Sequence, residues 1–263
     1  SAKLRHDFEA ASLVSITAYG DLDSVSQLDV GASPDPFFNS PNHAQGKTFS
    51  QEFQLLAPPS SDIQWILGAF FLKDQSTFSG GRNGTAVGPA LQSTFARQST
   101  NSYSGFAQAG AEILPRTRLT IGVRYTSDQR KFLGAATSGA INYGPVTGQK
   151  TFSNLTGRFS LDYKFTDDVL GYVAYNRGFK SGIYNLLGVA PGITAPPPPV
   201  LPEDLNAYTA GFKSEFLDGR ARLNAEAYYY DYKNIQVQQV VAGLALLSNG
   251  GAATIKGIDV DFT

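Results

Sequence analysis

Apolar and polar residues alternate one for one along much of this chain. Between Asn154 and Phe165, Leu155, Gly157, Phe159, Leu161, Tyr163 and Phe165 share one parity, while Thr156, Arg158, Ser160, Asp162 and Lys164 share the other. Successive side chains of a strand point to opposite faces, so this period predicts strands with one oily and one charged side. The split recurs after Arg118, with Leu119, Ile121, Val123 and Tyr125 opposed to Arg118, Thr120, Arg124 and Thr126. It returns after Arg220, where Ala221, Leu223, Ala225 and Ala227 alternate with Arg222, Asn224 and Glu226. No stretch carries helical spacing. The pattern predicts about eleven strands, at residues 2–10, 12–25, 47–57, 62–77, 101–114, 117–131, 152–165, 168–179, 205–217, 220–237 and 253–263.

Alternation does not say which face meets water, because a soluble sandwich buries its apolar face and a membrane barrel turns the same face to lipid. The connections decide. Short turns are expected at Pro58 to Ser61, near Pro115, at Thr166 to Asp168 and at Asp218-Gly219. Long connections are expected from Ser26 to Gly46, Ser79 to Thr100, Gly134 to Lys150, Ser181 to Asp204 and Gln238 to Ala252. Strands alternate in direction, so the short turns fall at one end of the sheet and the long loops at the other, as in an outer-membrane barrel. Strands of about 10 to 15 residues exceed the usual globular length and suffice to cross a bilayer. Aromatics gather at strand ends, as with Tyr163, Phe165 and Phe216 beside short turns and Tyr228, Tyr229, Tyr230 and Tyr232 toward a long loop. The expected class is therefore all-β, a transmembrane antiparallel β-barrel. An odd strand count that stops inside an alternating run, at Ile258 to Phe262, marks residues 1–263 as a partial β-barrel domain.

Composition narrows the functions. Formal net charge is -1 and charged residues make up 16% of the chain, which leaves no basic footprint for nucleic acid. With no cysteine there is no disulfide or thiolate metal site. No window approaches the apolar length of a membrane helix, and the start SAKLRHDF has no signal-peptide design.

Ordered strings then resemble one family, the TonB-dependent receptors, whose barrels close around a plug. Arg177-Gly178-Phe179-Lys180-Ser181-Gly182 with Asn185 is similar to the RGFKSGGFN string where a strand enters an extracellular loop, with Ile183 and Tyr184 in place of Gly and Phe. Pro202-Glu203 followed by Tyr208, Gly211 and Lys213 resembles PE with Y-E-x-G-x-K, Thr209 replacing the acid. Leu223-Asn224-Ala225, the tyrosines to Tyr232 and Gln236 resemble LNxAxFYxDYxDxQ. Asn249-Gly250-Gly251-Ala252 with Lys256-Gly257-Ile258-Asp259 resembles NAGxAxxxGxE, and Ser15 to Tyr19 and Ser50 to Phe53 match weaker strings. The resemblance implies a barrel of about 22 strands, roughly half of them here, with the plug and remaining strands outside this sequence. It also implies active uptake of a scarce small-molecule solute, such as an iron-siderophore complex, across the outer membrane of a Gram-negative bacterium. Its partners would be the TonB-ExbB-ExbD complex, acting through the missing plug, and outer-membrane lipid and lipopolysaccharide. No enzymatic role and no cofactor are implied. An ungated diffusion porin is the alternative, and a soluble adhesive or structural β protein is the alternative of another class.

Arg130, Lys131, Arg177, Lys180 and Tyr184 are the candidates for touching an anionic solute, since guanidinium and ammonium groups match carboxylate or catecholate oxygens. Arg118, Arg124, Arg158, Asp162, Lys164, Arg222 and Glu226 are expected to line a wet lumen or pack on a plug. The glycines of the Arg177 string are read first as rim residues that let the strand bend. Pro196 to Pro199 reads as a stiff part of an external loop rather than a recognition peptide. His6 and His43, the two histidines, have no metal-binding spacing, and Asp21 with Asp23 and Asp259 with Asp261 read as solvated charges rather than a cation site. No hydrolase elbow, phosphate loop or dinucleotide fingerprint occurs, and the Asn83 and Asn154 glycosylation patterns read as accidental.

Overall fold

The computed structural model describes residues 1–29, 39–84, 88–241 and 244–263, so Thr85 of the first glycosylation pattern lies outside the described residues. Eleven strands form one antiparallel sheet: β1 (Ala2–Asp7), β2 (Ser12–Asp29), β3 (Asn39–Leu56), β4 (Ile63–Gly84), β5 (Gly88–Leu114), β6 (Thr117–Ser138), β7 (Ile141–Lys164), β8 (Val169–Lys180), β9 (Glu203–Phe216), β10 (Ala221–Lys233) and β13 (Ala253–Phe262). Every neighbour in the sheet is a neighbour in sequence except β10 and β13, which are separated by a two-stranded hairpin of β11 (Gln236–Val241) and β12 (Leu244–Asn249). Among the described residues β1 and β13 do not pair, so the sheet is open within this chain.

The eleven strands of the main sheet and the all-β class agree with the hydropathy pattern, but the β11–β12 hairpin lies where a long connection was expected and the other long connections are largely corrected. Residues expected as loops from Ser26 to Gly46, Ser79 to Thr100 and Gly134 to Lys150 mostly continue the strands, β5 reaching 27 residues and β7 24. Glycine, serine and threonine weaken the apolar signal there, yet each ribbon satisfies its own backbone groups by hairpin pairing. The connection from β6 to β7 shrinks to Gly139-Ala140, with Gly139 at a φ of 58° that suits glycine. In the other direction, the strand expected over 220–237 ends at Lys233, and Asn234 at φ 53° turns the chain into the hairpin. The short turns fall where expected, the Phe8 to Ala11 turn joining them.

Cross-strand partners share a face, so register separates the two sides. One side carries Trp65, Ala109, Ile121, Phe159, Tyr175, Tyr208 and Tyr229 in a single row across seven strands. On this side Leu155 is 55% exposed, Phe159 41%, Tyr163 44% and Phe165 60%. A sandwich would bury these groups, each gaining roughly 1.5 to 3 kcal/mol by leaving water, and among the described residues no second sheet covers them. Aromatic rings border this band. Phe49, Phe71 and Tyr103 follow one another at 6.4 and 5.2 Å, and Tyr175, Tyr208 and Tyr229 at 5.1 and 6.3 Å. Tyr163 with Phe165 at 4.9 Å, and Phe216 with Phe262 at 6.3 Å, mark the edge near the short turns. The ten steps from Phe165 to Leu155 span about 34 Å along the strand, or about 26 Å after a 40° tilt, the height of a barrel's apolar band.

Candidate functional site

The opposite face of the sheet is polar. Arg118, Asp162, Tyr172, Gly211, Glu226 and Asp259 form one row across β6 to β13. By strand parity Arg124, Arg158, Lys164 and Arg222 project to this same side, so all seven residues expected to line a lumen share one face. Local packing fixes several of them. The Arg124 guanidinium lies 5.2 Å from the Phe106 ring centroid and 5.4 Å from that of Phe70, and donates to Ser104 Oγ at 2.5 Å. The Phe106 ring lies over Gly68, where a Cβ would meet its Cζ at 2.1 Å. Arg222 pairs with Glu215 at 2.9 Å near the short turns.

Toward the long-loop end this face acquires a roof. The segment between β8 and β9 folds down onto the polar sides of β5, β6 and β7, burying Tyr184 and Val189 against Ala96, Phe132, Ala136 and Val146. The Tyr184 ring stacks on Phe132 with centroids 5.2 Å apart, and its backbone N–H donates to Gln98 Oε1 at 2.9 Å. Burial holds the Tyr184 phenol above the usual tyrosine value. The β11–β12 hairpin is stitched to this segment. Asn185 exchanges two 2.8 Å bonds with the Leu247 backbone, Asn249 brackets the Leu201 backbone at 2.8 and 3.0 Å, and Gln236 Nε2 donates to the Ser181 and Leu201 carbonyls at 3.0 Å each. Glu203 Oε2 accepts the Gln236 N–H at 2.6 Å. Pro197, Pro198 and Pro199 line a cavity in this body together with Asn185, Leu247 and Asn249.

The structure does not bring the five solute candidates together. Arg130, Lys180 and Tyr184 lie on the polar side. Arg130 is largely buried, donating to Thr100 Oγ1 at 3.0 Å and lying 4.0 Å from Asp128, whereas Lys180 is exposed. Lys131 follows Arg130 within β6 and faces the other way, paired with Ser99 and Gln149. Arg177 shares parity with Tyr175 and sits 3.8 Å from Asp204. Gln98 and Asp128 carried no sequence signal beyond strand parity. Asn185, Gln236 and Asn249 stood inside recognised strings, but their bonding role appears only when the two loops meet. Among the described residues no group of three or more histidine, aspartate or glutamate side chains is arranged to hold a metal.

The family model of the TonB-dependent receptor-like β-barrel matches residues 1–263, the whole chain. The chain belongs to the TonB-dependent receptor β-barrel family. It is 29% identical over 114 residues to the pesticin receptor of Yersinia enterocolitica, a match covering 43% of this chain and 16% of that receptor. The sheet superposes on the ferric yersiniabactin uptake receptor FyuA from Yersinia pestis with a TM-score of 0.83 at 17% identity, over 98% of this chain and 38% of that one. For the siderophore receptor PiuA from Acinetobacter baumannii the TM-score is 0.72 at 17% identity, over 99% and 43%. For the copper transporter OprC it is 0.74 at 12% identity, over 97% and 41%. This TonB-dependent receptor chain thus spans less than half the length of the relatives it matches, and the strand-to-strand likeness concerns the fold.

Proposed function

We propose that these strands form part of the wall of an outer-membrane receptor of a Gram-negative bacterium, which takes up a scarce solute, an iron-siderophore complex, with energy delivered through TonB. The reading is carried by one observation: an apolar, aromatic-bordered face backs a polar face whose loop end is roofed by an ordered body, Tyr184 to Val200 with the β11–β12 hairpin. A wall of this kind holds a lumen, and the roof narrows its outer mouth. In a complete barrel of about 22 strands the lumen is wide enough to take a plug. The lumen-side charges Arg118, Arg124, Arg158, Asp162, Lys164, Arg222 and Glu226 would meet that plug, while Arg130, Lys180 and Tyr184 lie near the mouth where a solute enters. Lys131 and Arg177 could reach a solute only from above the rim. The pesticin receptor and the siderophore receptors named above support the choice of solute class.

The test is growth and uptake in a strain lacking the native gene, complemented with the full-length protein. Ferric-siderophore accumulation under iron limitation should require both this protein and a functional TonB. Accumulation that persists without TonB, together with a large steady conductance in planar bilayers, would favour the diffusion porin.

A further inference from the structure

The wall has a free edge at its long-loop end, and the segment that folds inward as the roof is the one that would fill it. The ladder between β7 and β8 ends at the pair Gly157 and Arg177, yet β7 runs on from there to Ile141. The Lys164 N–H bonds to the Arg116 carbonyl on the β6 side, and the Phe165 N–H to the Val169 carbonyl on the β8 side. Backbone groups of an antiparallel strand alternate between its two neighbours, so Gln149, Thr151 and Ser153 aim their N–H and C=O groups away from β6. Among the described residues nothing donates to or accepts from these groups, and all three residues are exposed.

Register identifies the missing neighbour. Extending the β7–β8 ladder past Gly157 and Arg177 sets Ser181 opposite Ser153, Ile183 opposite Thr151 and Asn185 opposite Gln149. In β8 the alternation gives odd residues to β7 and even ones to β9, since the Val169 carbonyl accepts from Phe165 and the Asp168 carbonyl from Glu215. Ile183 breaks this rule. Its N–H donates to the Val200 carbonyl at 3.1 Å and its carbonyl accepts from the Val200 N–H at 2.8 Å, so groups due to face Thr151 face Val200 instead. Val200 is still the partner that the β8–β9 register assigns, three steps on from Lys180 and Glu203. The hairpin has thus turned about its own axis after Lys180 without slipping. Gly182 stays beside Phe152, its partner in the extended register, so closely that a Cβ on the glycine would overlap the ring. The turned hairpin leaves Ser181 Oγ and Gln236 Oε1 buried with no hydrogen-bond partner among the described residues.

We propose that residues 181–185 have two seats, the roof and a second one in the wall, where Ser181, Ile183 and Asn185 exchange paired hydrogen bonds with Ser153, Thr151 and Gln149. Passage between the seats turns Ile183 from Val200 to Thr151 and lifts Tyr184 and Val189 off β5 to β7, which clears the mouth. Pro197, Pro198 and Pro199 have no N–H to continue the β8–β9 ladder beyond Val200, so growth of β8 past Ile183 falls to the β7 side. The roof seat is latched by the Tyr184 stack on Phe132 and the two Asn185 bonds to Leu247. This exchange rests on the reading of the roof as the closure of the mouth, but its occurrence requires no transport.

Hydrogen exchange of the full-length protein in lipid nanodiscs, resolved to single amides by mass spectrometry with electron-transfer fragmentation, tests the two seats. In wild type the amides of Gln149, Thr151 and Ser153 should exchange roughly tenfold faster than those of Lys150, Phe152 and Asn154, which face β6. Asn185→Ala releases the roof from Leu247, and the three fast amides should then slow by about threefold while residues 186–202 speed up. Tyr184→Ala should do the same by removing the ring from Phe132. Thr151→Pro takes away an N–H that points to the empty side, and combined with Asn185→Ala it should cancel the slowing at Gln149 and Ser153. Heat-modifiable electrophoretic mobility reports that each variant is folded. Edge amides that stay fast in both unlatched variants overturn the proposal, as do edge amides already slow in wild type or a slowing that survives Thr151→Pro. Slowing without TonB-dependent uptake leaves the exchange standing and removes the uptake reading alone, whereas uptake without slowing removes the exchange alone.

Discussion

The Tyr172 hydroxyl reaches two strands across the polar face, over Gly211, to donate a 2.6 Å hydrogen bond to Glu226 Oε2. A Cβ at Gly211 would stand 2.7 Å from that hydroxyl and 2.6 Å from the Ala225 carbonyl oxygen, so glycine is what lets the phenol lie flat on the sheet. Tyr172→Phe should lower stability by about 1 kcal/mol, the net worth of one partly exposed bond to a charged acceptor. Gly211→Ala should cost more, about 1 to 3 kcal/mol, and adding Tyr172→Phe should not restore it, because the Ala225 carbonyl is backbone and cannot swing away. Reversible urea unfolding in lipid vesicles measures all three variants.

A similar close approach on β4 should behave oppositely. At Gly68 the obstructing atoms belong to the movable Phe106 ring. Gly68→Ala is expected to destabilise by about 1 to 3 kcal/mol, and Phe106→Ala in the same chain to relieve much of that loss. A double-mutant cycle in the same unfolding assay yields the coupling, and simple additivity would contradict the contact.

Neighbouring residues on β6 test the orientation of the wall. Ile121→Lys places a charge in the middle of the apolar band and should cost about 2 to 4 kcal/mol of folding into bilayers. Thr120→Lys, one residue earlier and on the polar face, should change stability by less than about 1 kcal/mol. Equal losses at both positions would mean that the Ile121 face does not meet hydrocarbon.

The roof over the polar face should open without unfolding the wall. Asn185→Ala removes both bonds to Leu247 and should raise hydrogen exchange in residues 181–202 by roughly tenfold, while β5 to β7 stay protected in the membrane band. Tyr184→Ala should undock the same segment by removing the ring that stacks on Phe132, whereas Tyr184→Phe keeps the ring and should leave exchange nearly unchanged. Hydrogen exchange followed by mass spectrometry reads each segment separately.

Much of this architecture was legible from residue order alone, because a strand's two faces repeat every second residue and need no distant information. The oily row from Leu155 to Phe165 and the charged row from Arg158 to Lys164 could be assigned to opposite sides before any partner strand was known. The same rule applied to Arg130 and Lys131, and grouping them as solute contacts overlooked it by treating the end of the expected strand as free loop. The pairing of β6 up to Ser138 keeps the alternation running past them, so one looks inward and the other outward.

Residue order thus determined the strands, their faces and the side that bears short turns, all of which follow from local backbone geometry and neighbouring side chains. Only the tertiary structure decided the register, which puts Tyr172 within reach of Glu226 and sets Asn185 against Leu247. Those contacts join residues 54 and 62 positions apart. Their formation depends on how whole hairpins slide past one another, and a two-residue period carries no record of that slide.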